Sequence, residues 1–294
     1  MRFGSVCSGV EAASLAWEQL GWQPAFFSEI EKFPSAVLQH HYPNVPNLGD
    51  MTSADFADRC ADQGPIDLLV GGTPCQSFSV AGLRGGLDDE RGNLALEFCR
   101  LADRLAPRWI VWENVPGVLS SGGGRDFGSI VGAMVELGYN VAWRILDAQN
   151  FGVPQRRRRV FLVGHLGAER RGAAAVLFER ESLSGTIKAL RSGRLRGRGK
   201  RCIGTLGTRT GQYDRCELDR LIYNYEEKTV RTLTPKECER LQGMPDDWTK
   251  IPWRKKAAED CPDGPRYKAI GNSMCVNVMK WLGERIDKVD EVLT

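Results

Sequence analysis

Short apolar runs alternate with amphipathic stretches through the first 166 residues of the chain. The runs 2–8, 24–30, 66–72, 108–115, 140–148 and 158–166 have the length and side-chain types of strands. Between them, 11–20, 32–42, 93–105 and 127–139 place apolar residues near a 3.6-residue period, which predicts helices. Strands alternating with helices imply parallel βαβ units in an α/β, doubly wound, mostly parallel sheet. The segment between the last two strands is too short for a crossover, so that pair is expected to be antiparallel. After residue 166 the periodicity fades, and 167–234 is rich in Arg, Gly and Thr. A short helix is predicted over 234–244, with Thr234 as N-cap and Pro235 in its first position. The amphipathic run 273–289 predicts a long helix that returns to the sheet. The expected division is a larger domain from 1–166 plus 268–294 and a smaller one from 167–267.

Composition narrows this picture. A chain of 294 residues buries a substantial core without disulfides. No apolar run is long enough to span a membrane, and MRFGSVCSG lacks the apolar core of a secretory signal, so a cytoplasmic protein is expected. The nine cysteines are scattered, with no Cys-x-x-Cys, so neither a disulfide framework nor a metal site is expected. The net charge of +3 is unevenly spread, with cations dense in QRRRRV (155–160) and RSGRLRGRGKR (191–201). Such a patch on a near-neutral chain suggests a polyanion at one face. Taken alone, 191–201 fits a solvated loop equally well.

In a doubly wound sheet, ligands sit beyond the carboxyl ends of the strands. Gly9 lies at the first such end, and Glu29 stands at the next, 20 residues later. That is the geometry of a nucleoside-binding βαβ unit, with a carboxylate to receive ribose hydroxyls. Gly-x-Gly-x-x-Gly is absent, so the nucleoside need not carry a pyrophosphate, and S-adenosylmethionine fits better than NAD. A third strand runs into LLVGGTPCQSFSVAG (68–82), which sets Cys75 in a turn where its thiol is reachable. A thiol protease would need a histidine base, but His40, His41 and His165 fall at no strand end near Cys75. A zinc deaminase would need His-x-Glu and Pro-Cys-x-x-Cys, and neither is present. A thiolate, a carboxyl group and arginines around a nucleoside donor suit methylation of cytosine carbon 5. There a thiol adds to carbon 6 and activates carbon 5 towards the sulfonium methyl.

Along nearly its whole length the chain resembles the DNA (cytosine-5) methyltransferases, bacterial or phage type. GGTPCQSFSVAG resembles the family's Pro-Cys loop, and WENVPG (112–117) its Glu-Asn-Val motif. QRRRRVFLVG (155–164) resembles Gln-x-Arg-x-Arg, as Gln155, Arg157 and Arg159. RTLTPKECERLQGMPDDW (231–248) and YKAIGNSMCVNV (267–278) resemble the last two motifs. The resemblance implies a Rossmann-like methyltransferase fold whose smaller domain recognises the DNA target. It implies that Cys75 is the nucleophile, that Glu113 engages ring nitrogen 3, and that Arg157 and Arg159 hold the ring carbonyl. Asn114 would position the loop behind Cys75. The implied S-adenosylmethionine contacts are Cys7, Gly9, Glu29, Ile30, Asp50, Pro74, Leu94 and Asn272. The implied contacts to double-stranded DNA are Gln76, Ser79, Arg91, Arg194, Arg196, Arg198, Thr205 and Leu206, and 76–93 would close over the duplex. A monomer is expected, and a cognate restriction endonuclease is an open partner. CSGVE (7–11) departs from the family's first motif, with Cys7 in place of its aromatic and Glu11 in place of its second glycine. Two alternatives stay open: a tRNA methyltransferase of the same family, and a DNA-binding homologue that has lost catalysis.

Overall fold

The computed structural model describes residues 1–74, 94–167, 172–178, 221–224 and 229–293. Six strands form the main sheet: β1 (Arg2–Val6), β2 (Gln23–Ser28), β3 (Leu68–Gly71), β4 (Trp109–Asn114), β5 (Tyr139–Asp147) and β6 (Arg158–Leu166). Their order is β2-β1-β3-β4-β6-β5. The first four strands are parallel. β6 runs antiparallel to both β4 and β5, so the expected antiparallel pair is present and β6 alone is reversed, inserted between β4 and β5. Every residue of β3 and β4 is buried, which is why both read as continuous apolar runs and not as alternating ones.

Two apolar layers enclose the sheet. One contains α1 (Ala12–Trp17), α2 (Lys32–His41), α6 (Gly172–Leu177) and α9 (Val276–Leu293), centred on Phe3, Trp17, Trp109 and Met279. The other contains α3 (Phe56–Ala61), α4 (Leu94–Leu105) and α5 (Arg125–Glu136), centred on Phe26, Phe98, Trp112 and Leu162. Strand order reverses between β1 and β3, and the crevice at that switch point is where such sheets take ligands.

α9 returns to the sheet as its apolar stripe predicts. Trp17 Nε1 donates to Met279 O at 2.8 Å, and Trp109 Nε1 to Asp290 Oδ1 at 2.8 Å. Arg108 pairs with the other Asp290 oxygen at 2.9 Å. A short hairpin, β7 (Leu221–Asn224) with β8 (Thr229–Thr232), leads into α7 (Pro235–Gln242). The start of α7 matches its sequence signal. Thr234 and Glu237 form a reciprocal capping box with Pro235 at the first position, and Gly243 ends the helix in the left-handed region. α8 (Asp263–Asn272) was not expected, because Gly264, Pro265 and Gly271 hide its period. The long helix expected over 273–289 therefore starts later, after the turn that ends α8. Met244, Ile251 and Cys261, expected in the smaller domain, share the core of Phe3 and Trp17.

Candidate functional site

The carboxyl ends of β3 and β4 and the amino end of the antiparallel β6 meet around Glu113. Register explains the meeting. Glu113 pairs with Phe161 across the antiparallel ladder, so Arg159 is its diagonal neighbour on the same face. Arg159 Nε lies 3.1 Å from Glu113 Oε1, with both side chains nearly buried. Glu113 is 8% exposed. Burial pushes its carboxyl above the usual range, while Arg159 and then Arg157 pull it back. The group is thus poised to hold or share a proton.

The glycine that ends β3 and the one after it make room for this site. A Cβ on Gly71 would stand 2.7 Å from Val6, and one on Gly72 would stand 2.9 Å from Met274 Cε and 3.3 Å from Glu113 Oε2. Thr73 follows, buried and held from β4 on two sides. Trp112 Nε1 donates to its hydroxyl at 2.9 Å, and Asn114 Nδ2 to its carbonyl at 2.9 Å. Asn114 therefore fixes the chain at Thr73, two residues before Cys75 in sequence. Pro74 is exposed. Cys75, Gln76, Ser79, Arg91, Arg194, Arg196, Arg198, Thr205 and Leu206 lie outside the described residues, as does the closing segment 76–93.

Arg157 has a different environment from Arg159. It is 3% exposed, and its Nη1 and Nη2 donate to Gly271 O at 3.2 Å and Ser273 O at 2.7 Å. These are among the orphan carbonyls that close α8. Burial lowers the Arg157 guanidinium to about 10. Gln242, at the end of α7, donates to Ile270 O at 3.0 Å in the same turn. This pair pins the segment that carries Asn272, exposed, and Met274, which lies against Gly72. Thr73, Gln242 and Met274 were missed from the sequence. The Thr of TPC and the Gln of LQG sit inside recognised motifs, yet nothing local says what they touch.

The ends of β1 and β2 build a second half of the site. Gly9 has φ 57° and open space where a Cβ would point. Its N–H donates to Glu29 Oε2 at 2.9 Å, and Glu31 N–H donates to Oε1 at 2.7 Å. Partial burial raises the Glu29 carboxyl, and these amides pull it down. Ile30 is 70% exposed beside it. Asp50 is exposed, its Oδ1 held by the amide and hydroxyl of Thr52 at 2.8 Å. Cys7, at φ 49°, sends its thiol to Met51 Sδ at 3.7 Å. Burial, then the charges of Glu29 and Asp50, push that thiol up to about 12, so it is an inert wall. Leu94 is half-buried at the start of α4, packed on the Phe98 core. An acceptor-only carboxylate beside a bare glycine crest fits a ribose diol, and exposed Ile30 offers an apolar surface to a base.

Among the described residues no cluster of His, Cys, Asp and Glu could hold a metal, and no helix is long and apolar enough to cross a membrane. The fold and site define an α/β domain with a buried acid–arginine pair at its strand ends. Comparison with known proteins sharpens this. The sequence model of the C-5 cytosine-specific DNA methylases matches residues 1–200 and 180–288. The chain belongs to that family. A relative from Escherichia phage P1, named DNA N-6-adenine-methyltransferase, is 35% identical, with 97% of this chain covered. The chain spans 61% of that relative's length. The type II methyltransferase M2.BsuMI of Bacillus subtilis (strain 168) is 30% identical over 98% of this chain and 76% of its own. Two solved structures share the fold. The Entamoeba histolytica methyltransferase EhMeth has a TM-score of 0.66 at 15% identity, covering 99% of this chain and 98% of its own. The S. pombe Dnmt2 methyltransferase has a TM-score of 0.65 at 15% identity, covering 100% and 99%.

Proposed function

We propose that this chain performs the family's cytosine-5 methyl transfer on double-stranded DNA, with Cys75 as nucleophile and Glu113 as acid. The observation that carries the reading is the Glu113–Arg159 pair, 3.1 Å apart and shielded from water, beside the tethered Thr73 that precedes Pro74-Cys75. In this reading the target cytosine leaves the duplex, at a cost of a few kcal/mol, to reach a buried acid. The Cys75 thiolate adds to carbon 6, and Glu113 steadies the ring by meeting nitrogen 3. Arg159 holds Glu113 in place and offers its remaining N–H groups to the ring carbonyl. Arg157 acts one step removed, by fixing the wall at 270–274. The carbon-5 proton and the thiol then leave the ring.

S-adenosylmethionine, when bound, supplies a methyl group on a sulfonium centre. Gly9, Glu29, Ile30, Asp50, Pro74, Leu94 and Asn272 would hold it, with Glu29 taking the ribose hydroxyls and Cys7 lining the wall. Residues 191–201 would contact phosphates, which set affinity and salt dependence and not sequence choice. A phage or bacterial setting, with or without a partner endonuclease, agrees with the relatives' names.

The phage P1 relative's name assigns adenine as its target base. Adenine N6 attacks a sulfonium methyl directly and needs no thiol adduct. A cysteine that follows the tethered Thr73 and Pro74 in sequence favours cytosine here. The test is transfer of labelled methyl groups to unmethylated duplex DNA, followed by nucleoside mass spectrometry. 5-Methylcytosine is expected. N6-Methyladenine, or label in tRNA alone, would overturn the reading.

A further inference from the structure

The crest of the β1–α1 loop is shaped by a residue that the chemistry above does not use. Cys7, Gly9 and Glu11 all lie in the left-handed region, at φ 49°, 57° and 63°. Such a conformation is strained for a non-glycine residue. Glu11 is also 1% exposed, and burial raises its carboxyl to about 7. A glycine here would avoid both penalties. Something must offset them.

The hydrogen bonds of Glu11 show what the glutamate does. Its Oε2 accepts from Ser5 Oγ in β1 at 2.9 Å. Its Oε1 accepts from the Ser14 amide at 3.0 Å and the Ser14 hydroxyl at 3.1 Å, at the start of α1. Its own amide donates to Ser8 O at 3.0 Å. One carboxyl group thus joins the strand before the loop to the helix after it, and the same residue's backbone holds the loop between them. The loop is braced from outside as well, since Trp248 Nε1 donates to Val10 O at 2.9 Å. At the crest, Gly9 N–H meets Glu29. Local rules broken at real cost, with every polar atom used, mark a functional constraint.

We infer that Glu11 is a positioning residue for the cofactor loop, a staple that pre-shapes Ser8–Val10 for S-adenosylmethionine. The inference rests on the cofactor reading given above. Without the staple, ligand binding itself must order the loop, and affinity falls by that ordering cost.

The test compares wild type with Glu11→Gly, Glu11→Gln and Ser5→Ala by calorimetric titration of S-adenosylmethionine, thermal melting and steady-state kinetics. Glu11→Gly takes the left-handed backbone freely but loses the staple. Its Kd is expected to rise roughly tenfold, an effect of the size of a lost helix cap. Its melting temperature is expected to move by no more than about 4 °C, because backbone strain and a buried charge leave together. KM for the cofactor rises with Kd, and kcat falls less. Glu11→Gln keeps an acceptor for the Ser14 amide and recovers part of the affinity. Should Glu11→Gly fail to fold, Ser5→Ala cuts one arm of the staple and is expected to weaken binding about threefold. Wild-type affinity in every variant that folds overturns the inference, as does a loss of melting temperature with Kd unchanged. A wild-type protein that binds no S-adenosylmethionine overturns the cofactor reading itself, and the control titration tells these failures apart.

Discussion

The two halves of the site are built on opposite plans. At the ends of β1 and β2, shape comes from backbone: left-handed turns, amides aimed at Glu29, and an exposed Ile30. At the ends of β3, β4 and β6, shape comes from buried side chains, with Glu113 against Arg159 and Thr73 fastened by Trp112 and Asn114. The first plan suits a ligand that arrives and leaves each cycle, because main-chain dipoles need no rearrangement to meet it. The second suits charge that appears only during reaction, because a dry site strengthens each electrostatic contact. Binding and chemistry are separable by geometry, and variants should separate them by measurement.

The largest effect is expected at the chemical half. Cys75→Ser should lower methyl transfer on the order of 10⁴-fold or more. Cofactor and DNA binding should persist in titrations, and retained turnover would refute the nucleophile assignment. Glu113→Gln comes next, with kcat falling on the order of 10²- to 10⁴-fold. Its pH profile sharpens the point. The raised Glu113 carboxyl means the wild-type rate is lost as pH rises through that value, while the thiolate requirement limits the acid side. The glutamine variant should lose the alkaline limb and keep the acid one.

Arg157→Met probes the support between the halves. It removes the Arg157 donors to the Gly271 and Ser273 carbonyls, of which Ser273 O keeps only the longer bond from Gln242, a loss of about 2–3 kcal/mol readable by urea titration. Glu29→Gln should act on the binding half alone. It should raise the cofactor Kd roughly tenfold in calorimetry, with a smaller change in kcat. An equal loss of kcat would erase the proposed separation. The smallest effect is at Cys7, whose thiol at about 12 stays protonated. Iodoacetamide near about pH 8 should spare it, as peptide mapping would show.

Much of this was legible in the sequence, for local reasons. β3 and β4 announced themselves because buried parallel strands are unbroken apolar runs. α7 announced itself through Thr234, Pro235 and Glu237, whose cap is written within four residues. What stayed hidden depends on remote partners. The spacing of Arg157 and Arg159 put both on one face, but it could not say that one meets an acid while the other meets carbonyls more than a hundred residues away. α8 was hidden because its own composition opposes a helix, and its packing overrides that. Glu11 reads as a lost glycine; only the fold reveals that its carboxyl turns inward.

The hydrogen bond from Trp17 to Met279 has a consequence for how the chain is made. Its partners are separated by 262 residues. At ordinary synthesis rates, the indole emerges from the ribosome roughly ten seconds to a minute before the helix that covers it. During that interval Phe3, Trp17 and their neighbours form an uncovered apolar face on an unfinished sheet. A nascent chain in that state is a substrate for chaperones and a hazard for aggregation. α9 completes the core around β1, so the loop after β1 takes its final shape long after its own residues have been made.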